Sequence, residues 1–166
     1  MRILVFLASL AIVQSTMGES TNLTPVRAVD QMPEALRLIR TADHVYVFPV
    51  SVITKSESTG TVAPQGDYRR VRAIDADARG KLGRLLGNDS SWCHCFDNTF
   101  GVGPEPKYVG FIFQKGKDKL VLLRFLRWHT QGTFNAQRVA GSLDEKGSDR
   151  LDEWEKRYAR PERGLK

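Results

Sequence analysis

The stretch Lys119 to Trp128 (KLVLLRFLRW) constrains this chain more than any other. Side chains along a β-strand alternate between the two faces of a sheet. Here Val121, Leu123 and Phe125 fall on one face, and Leu120, Leu122 and Leu126 on the other. A strand that is apolar on both faces belongs inside a sheet with cover above and below it. Tyr108 to Gln114 (YVGFIFQ) is a second β-favouring run, and Lys115-Gly116-Lys117-Asp118 between them is a polar connection containing the glycine that hairpin turns use. The spacing predicts an antiparallel pair. Arg124 interrupts the second apolar set, and it reads as an arginine whose stem packs while its guanidinium reaches solvent or a carboxylate.

The rest of the chain supplies elements that can cover such a sheet. Asp30, Pro33, and the apolar positions Ala35, Leu36, Leu38 and Ile39 predict a helix to about Thr41 that ends at Asp43. His44 to Thr54 (HVYVFPVSVIT) is β-branched and aromatic on both alternations and predicts a strand. Within it Pro49 has no N–H to give a ladder, which requires an edge, a bulge or a break between two short strands. Lys55 to Gln65 is rich in Ser, Thr and Gly and reads as a long turn or loop. The basic knot Arg69, Arg70 and Arg72 follows, either a solvated strand end or an anion contact. Asp75 to Leu86 predicts a helix stopped by Gly87 and Asn88, and Thr133 to Ser142 a third strand. Ser148 to Ala159 predicts a last helix with Leu151, Trp154 and Tyr158 on one stripe, and Pro161 ends it. The order α, β, α, β-meander, α predicts an α+β fold: one domain over residues 30–160, a mostly antiparallel sheet with two to three helices packed on it.

Compartment is the next constraint. Arg2 precedes an apolar run from Ile3 to Val13, followed by small and polar residues through Gly18. The run covers only about half of the ~20 residues a bilayer span needs, which is the pattern of a secretory signal peptide over residues 1–18. Thr16 and Gly18 supply small side chains at the −3 and −1 positions of a cut after Gly18. Residues 19–29 then read as a flexible lead-in and 161–166 as a basic tail. Lys and Arg number 25 against 19 Asp and Glu, a net charge of +6. That balance favours anionic partners, a protein or an anionic surface, and export argues against nucleic acid as the partner.

Export also frames the two cysteines, Cys93 and Cys95, which flank His94. Thiols in an oxidising compartment tend to pair. Residues at i and i+2 of a strand sit near the limit of disulfide geometry, so an intrachain bridge requires a turn there. A bridge to another chain and unpaired thiols are the alternatives. Thiolates and imidazole also suit Zn²⁺ or Cu(I), although a structural zinc site wants a second ligand pair and only His44 and His129 are available elsewhere. The sequence holds no G-x-S-x-G, H-E-x-x-H, Walker or dinucleotide motif. The absence of a catalytic constellation favours a binding domain.

Trp92-Cys93-His94-Cys95, the aromatic hairpin FIFQKGKDKLVLLRFLRW and a closing amphipathic helix together resemble a group of secreted bacterial proteins to which no activity is assigned, over roughly residues 82–160. In that group the second hairpin strand often ends in further cysteines, whereas here it ends in Arg127-Trp128-His129. The resemblance therefore carries no functional residue across. The expected function is an exported, non-enzymatic binding or interaction domain needing no cofactor. Its candidate contacts are Lys115, Lys117, Lys119, Arg127 and Trp128, because arginine and aromatic side chains anchor interfaces. The alternative is a thiol- or metal-dependent activity, with zinc or copper, centred on Cys93, His94 and Cys95.

Overall fold

The computed structural model of the chain describes residues 26–54, 62–93 and 108–159. A 9-stranded, mostly antiparallel sheet dominates the domain, and three α-helices cover one of its faces. The chain enters through β1 (Arg27–Ala28) and a 3₁₀ turn (Val29–Gln31), then forms α1 (Pro33–Thr41) and the long strand β2 (His44–Thr54). Next come β3 (Val62–Gly66), a 3₁₀ turn (Tyr68–Arg70), β4 (Arg72–Ala73), α2 (Ala76–Leu86) and β5 (Trp92–Cys93). The second half is the meander β6 (Tyr108–Lys115), β7 (Asp118–Arg124), β8 (His129–Phe134) and β9 (Gln137–Leu143), closed by α3 (Glu145–Trp154).

Strand order is β1-β9-β8-β7-β6-β2-β3, with β5 beside β9 and β4 beside β2. Two short strands therefore line the outer side of β9, and two line the outer side of β2. Short segments of this kind shield edges that would otherwise template further pairing. The sheet curls into a half-barrel. Its dominance over the helices is the main departure from the expected layering, and it arises because stretches read as loop or lead-in carry strands: β3, which takes up the end of 55–65 and Gly66, and β1 within 19–29.

The faces follow from alternation. Val45, Val47, Phe111, Phe113, Leu120, Leu122, Val139 and Leu143 point to the helical side. There they pack with the apolar stripes of α1, α2 and α3 into the main core. Phe48, Val50 and Ile112 point the other way and form a smaller cluster with Tyr46, Tyr108, Val121 and Leu123. The Phe48 ring lies over Gly66 and Gly110, where any Cβ would strike it, and stacks against Tyr68 at 4.7 Å. The pattern read from Lys119 to Trp128 thus holds in its first part: β7 lies between β6 and β8 with apolar side chains on both faces.

Pro49 illustrates how a forbidden residue is accommodated. β2 runs through it without interruption, and the break falls in the neighbour instead. β3 pairs with Val50 to Thr54 and β4 with Tyr46 and Val47, leaving Pro49 opposite the turn between them. The Pro49 carbonyl accepts from Asp67 N at 2.8 Å. A residue's N and O point to the same side of a strand, so the nitrogen without a proton faces that gap rather than a ladder.

Two expectations for the second half are corrected. The strand expected to reach Trp128 ends at Arg124, and the chain turns over Phe125 to Trp128, with Phe125 N donating to His129 O at 3.2 Å. The single strand expected over Thr133 to Ser142 is a hairpin, β8 and β9, turning at Asn135 and Ala136 with φ of 46° and 69°. That turn type favours Asn-Gly, and Ala at the second position hides it from sequence reading. A left-handed conformation costs an L-residue roughly 1–2 kcal/mol, and glycine none of it. Ala136→Gly is therefore expected to stabilise the fold by up to about 1 kcal/mol after glycine's unfolded-state entropy, raising Tm by roughly 2–4 °C in a calorimetric scan. An unchanged or lowered Tm would show that the turn is not strained.

Candidate functional site

Among the described residues, the face of the sheet turned away from the helices is filled on one side and hollow on the other. Over β2 and β6 the Phe48, Val50 and Ile112 cluster sits under Tyr68. Over β7, β8 and β9 lies a cavity of about 710 Å³, within the range of small-ligand sites. Val121 and Leu123 of β7 and Ala140 of β9 give it an apolar wall, and Val26, Ala28 and Tyr68 close its sides. Polar groups are few: Gln131 and Thr133 of β8, Ser142 and Arg138 of β9, and Asp30 and Gln31 from the 3₁₀ turn after β1. Alternation explains the set. On β8 the positions between Thr130, Gly132 and Phe134 point away from the helices, and the sequence places Gln131 and Thr133 there. An apolar wall with a handful of hydrogen-bonding groups suits the holding of a compact ligand.

Cys93 also lines this cavity. In the strand registers it lies opposite Ser142, and His129 lies opposite Ser142 from the other side. His129 Nδ1 is 2.8 Å from Ser142 Oγ, and the ring stacks on Phe125 at 6.1 Å. The sheet thus sets a cysteine, a serine and a histidine in a row across three strands. There is no free cysteine among the described residues. His94 and Cys95 lie outside the described residues, and His44 stands on β2, away from Cys93. Among the described residues no group of three or more His, Cys, Asp or Glu side chains is placed to hold a metal ion.

The five contact residues expected from the sequence do not form one surface. Lys115, Lys117 and Lys119 are exposed around the β6–β7 turn, which abuts the β8–β9 turn through Asn135: its Oδ1 accepts from Lys119 N at 2.9 Å. Arg127 and Trp128 lie past the far end of β7, and its seven residues at about 3.3 Å rise each separate the two groups by some 20 Å. Trp128 is 45% exposed, with the Arg127 guanidinium over its ring at 5.6 Å. Arg127 is itself engaged, paired with Asp149 and, at 3.5 Å, with Asp152 of α3. Tyr68, Gln131 and Arg138 were not singled out by sequence. The available signal was the run of small polar residues alternating along Gln131-Gly132-Thr133, which only the pairing turns into a cavity wall.

A network of buried and half-buried charge lies beneath Arg127. Arg124 is 0% exposed, and its guanidinium meets Asp152 at 2.7 Å, Glu155 at 2.9 Å and Ser148 Oγ at 3.1 Å. It also donates twice to the Arg127 carbonyl, at 3.1 and 2.6 Å. One buried cation thus faces two carboxylates. Glu155, the more enclosed of the two, opens a π-helical turn (Glu155–Ala159) that continues α3. Burial raises its pKa from 4.5 to about 7, against the pull of Arg124 and with a further push from Asp152. Burial likewise raises the nearby Tyr108 phenol. A carboxyl poised near neutrality is a mark of acid–base chemistry, yet Glu155 does not line the cavity, and its partners are internal.

The sign of the pH effect follows from this shift. Below about pH 4.5 the Glu155 carboxyl is protonated in both folded and unfolded chains; between there and about pH 7 the unfolded chain releases the proton while the folded one keeps it. Stability from this group is therefore full at low pH and declines across that window, by about 3 kcal/mol in total. Urea unfolding from pH 5 to 8 should show this decline in the parent and a flatter profile in Glu155→Gln. Equal slopes in the two proteins would assign the pH dependence elsewhere. Set against protein families, curated proteins and solved structures, the chain matches none of them.

Proposed function

We propose that the protein is an exported, non-enzymatic binding domain that seats a small amphipathic ligand in the cavity over β7, β8 and β9. The observation that carries this reading is the cavity itself: about 710 Å³ against strands whose outward side chains are apolar, with a short list of hydrogen-bonding groups at its margin. Apolar walls supply affinity and a few fixed polar groups supply orientation. The ligand that fits has an apolar body and a hydrogen-bonding head that Arg138, Gln131 and Thr133 can meet. The apolar run ahead of Gly18 supports export, and among the described residues no helix is long and apolar enough to cross a membrane. The N-terminus of protein recovered from an envelope or medium fraction should begin at Glu19, and recovery from cytosol beginning at Met1 would remove export from the reading.

The binding reading is tested with an amphipathic dye. Anilinonaphthalene sulfonate should bind the parent saturably at one site, and Ala140→Phe, which fills the cavity, should weaken it about tenfold while the thermal midpoint holds. Undiminished binding by a folded Ala140→Phe would place the dye elsewhere and defeat the assignment. A second reading has an observation of its own: Cys93 lines the same cavity and shares Ser142 as a strand neighbour with His129. Cys93 is not free in the structure, so a thiol-dependent activity, with or without zinc or copper at Cys93, His94 and Cys95, would require its sulfur to be released first. A thiol count and elemental analysis of the mature protein separate the two. Closed sulfurs without metal leave the binding reading standing, and a reactive thiol or bound metal favours the alternative.

A further inference from the structure

On the opposite side of the sheet the outer surfaces of α2 and α3 meet in a groove of about 550 Å³. Leu85, Trp154 and Tyr158 form its floor. Tyr158 is held in place from several directions: its hydroxyl bonds Lys81 Nζ at 2.7 Å and Asp77 at 3.1 Å, and its ring packs on Trp154 at 5.5 Å. Trp154 in turn donates its indole N–H to the Ala78 carbonyl at 3.0 Å. The floor is therefore built rather than collapsed.

The rim is cationic. Two of its bases are neutralised, Lys81 by Asp77 at 2.7 Å and Lys156 by Glu153 at 2.6 Å. The other three, Arg84, Arg150 and Arg157, have no ion pair among the described residues, and Arg157 instead lies over the Tyr158 ring at 5.4 Å. They come from three places in the chain, α2, α3 and the turn after it, and the helix packing gathers them around one hollow. Like charges so gathered repel one another, and an anion between them relieves the repulsion.

We propose that this groove binds a ligand bearing a phosphate or sulfate group on an apolar body. The choice of anion rests on geometry. A guanidinium offers paired parallel N–H groups, and a carboxylate with two oxygens is satisfied by one such fork. A tetrahedral oxyanion has three outward oxygens and can accept from two or three forks together, and three arginines without an ion pair among the described residues line this groove. The apolar floor takes the body of the ligand, and the concave shape suits a compact molecule or chain end rather than a flat lipid surface. This site is independent of the cavity on the other face, and neither proposal rests on the other.

The test is titration calorimetry of the full chain with 4-nitrophenyl phosphate, 4-nitrophenyl sulfate and 4-nitrobenzoate, which share one ring and differ in the anion. The phosphate or the sulfate should bind saturably and about tenfold more tightly than the carboxylate, and the tighter of those two identifies the group. Arg84→Gln and Arg150→Gln, both at exposed positions, should each weaken that binding about tenfold. Lys117→Gln and Arg37→Gln, at exposed positions that line neither hollow, remove the same charge elsewhere and should leave it within about twofold. Equal losses in those controls would reduce the effect to net charge and overturn the site. Carboxylate binding as tight as phosphate and sulfate would overturn the choice of anion. Preference for a poly-glutamate peptide, or binding only to anionic phospholipid vesicles, would overturn it in favour of a protein or a membrane.

Discussion

A guanidinium inside the sheet is the constraint around which the second half of this chain is arranged. Arg124 occupies a position on β7 that alternation assigns to the helical core, next to Leu122 and Leu120. A buried, unpaired charge would be costly enough to eject it, so the chain must bring partners to it. It does so from two directions: the Arg127 carbonyl from the turn that ends β7, and Ser148, Asp152 and Glu155 from α3. Ser148 Oγ donates to that same carbonyl at 2.8 Å, which closes the network between the turn and the helix. A buried ion pair adds little net free energy over hydrocarbon of the same shape. What its directed bonds supply is position: α3 can sit at one height and one rotation only.

That position propagates. With α3 fixed, Leu151 and Trp154 reach the core, and Trp154 reaches the Ala78 carbonyl of α2. The π-helical turn then carries Tyr158 back to Lys81 and Asp77, while Arg72 of β4 donates to the Tyr158 carbonyl at 2.6 Å. The Asp77 carboxyl is held below the usual range, first by its bond to Lys81 and then by those to Tyr158 and the field of Arg157, against the opposing effect of desolvation. Lys81 is raised for the reciprocal reason. The helical layer is thus cross-braced by polar contacts at its rim over an apolar stripe, and the basic groove is the shape left between the braced helices.

Much of this architecture was legible because local signals and tertiary demand agreed. The Pro33 start, the apolar spacing from Ala35 to Ile39 and the Asp75 cap, which accepts from Ala78 N at 2.7 Å, place α1 and α2 where the sequence reading put them. His44 to Thr54 is a strand throughout. Legibility failed where a residue's role is set by a non-neighbour. Pro49 fits because its neighbour breaks, Ala136 turns the chain because Asn135 is tied to Asp118 and Lys119, and the strand ends at Arg124 because α3 claims its turn. The cavity wall and the groove were hidden for the same reason. Arg84 and Arg157 are bases near helix C-termini, where they complement the dipole, and nothing local says that the two ends lie side by side.

The two hollows lie on opposite faces of one sheet, and β7 is where they come nearest to sharing structure. Leu123 lines the cavity and Arg124, the next residue, anchors the helix that forms the groove. A strand in the middle of a sheet cannot rotate one of these side chains without the other, since alternation couples them rigidly. Yet β7 is also bonded along both edges, to β6 and β8, so a ligand against Leu123 has no soft coordinate through which to move Arg124. Occupation of the cavity should therefore leave the groove as it is. If both proposed sites bind, the stiff strand between them makes their occupation independent rather than coupled.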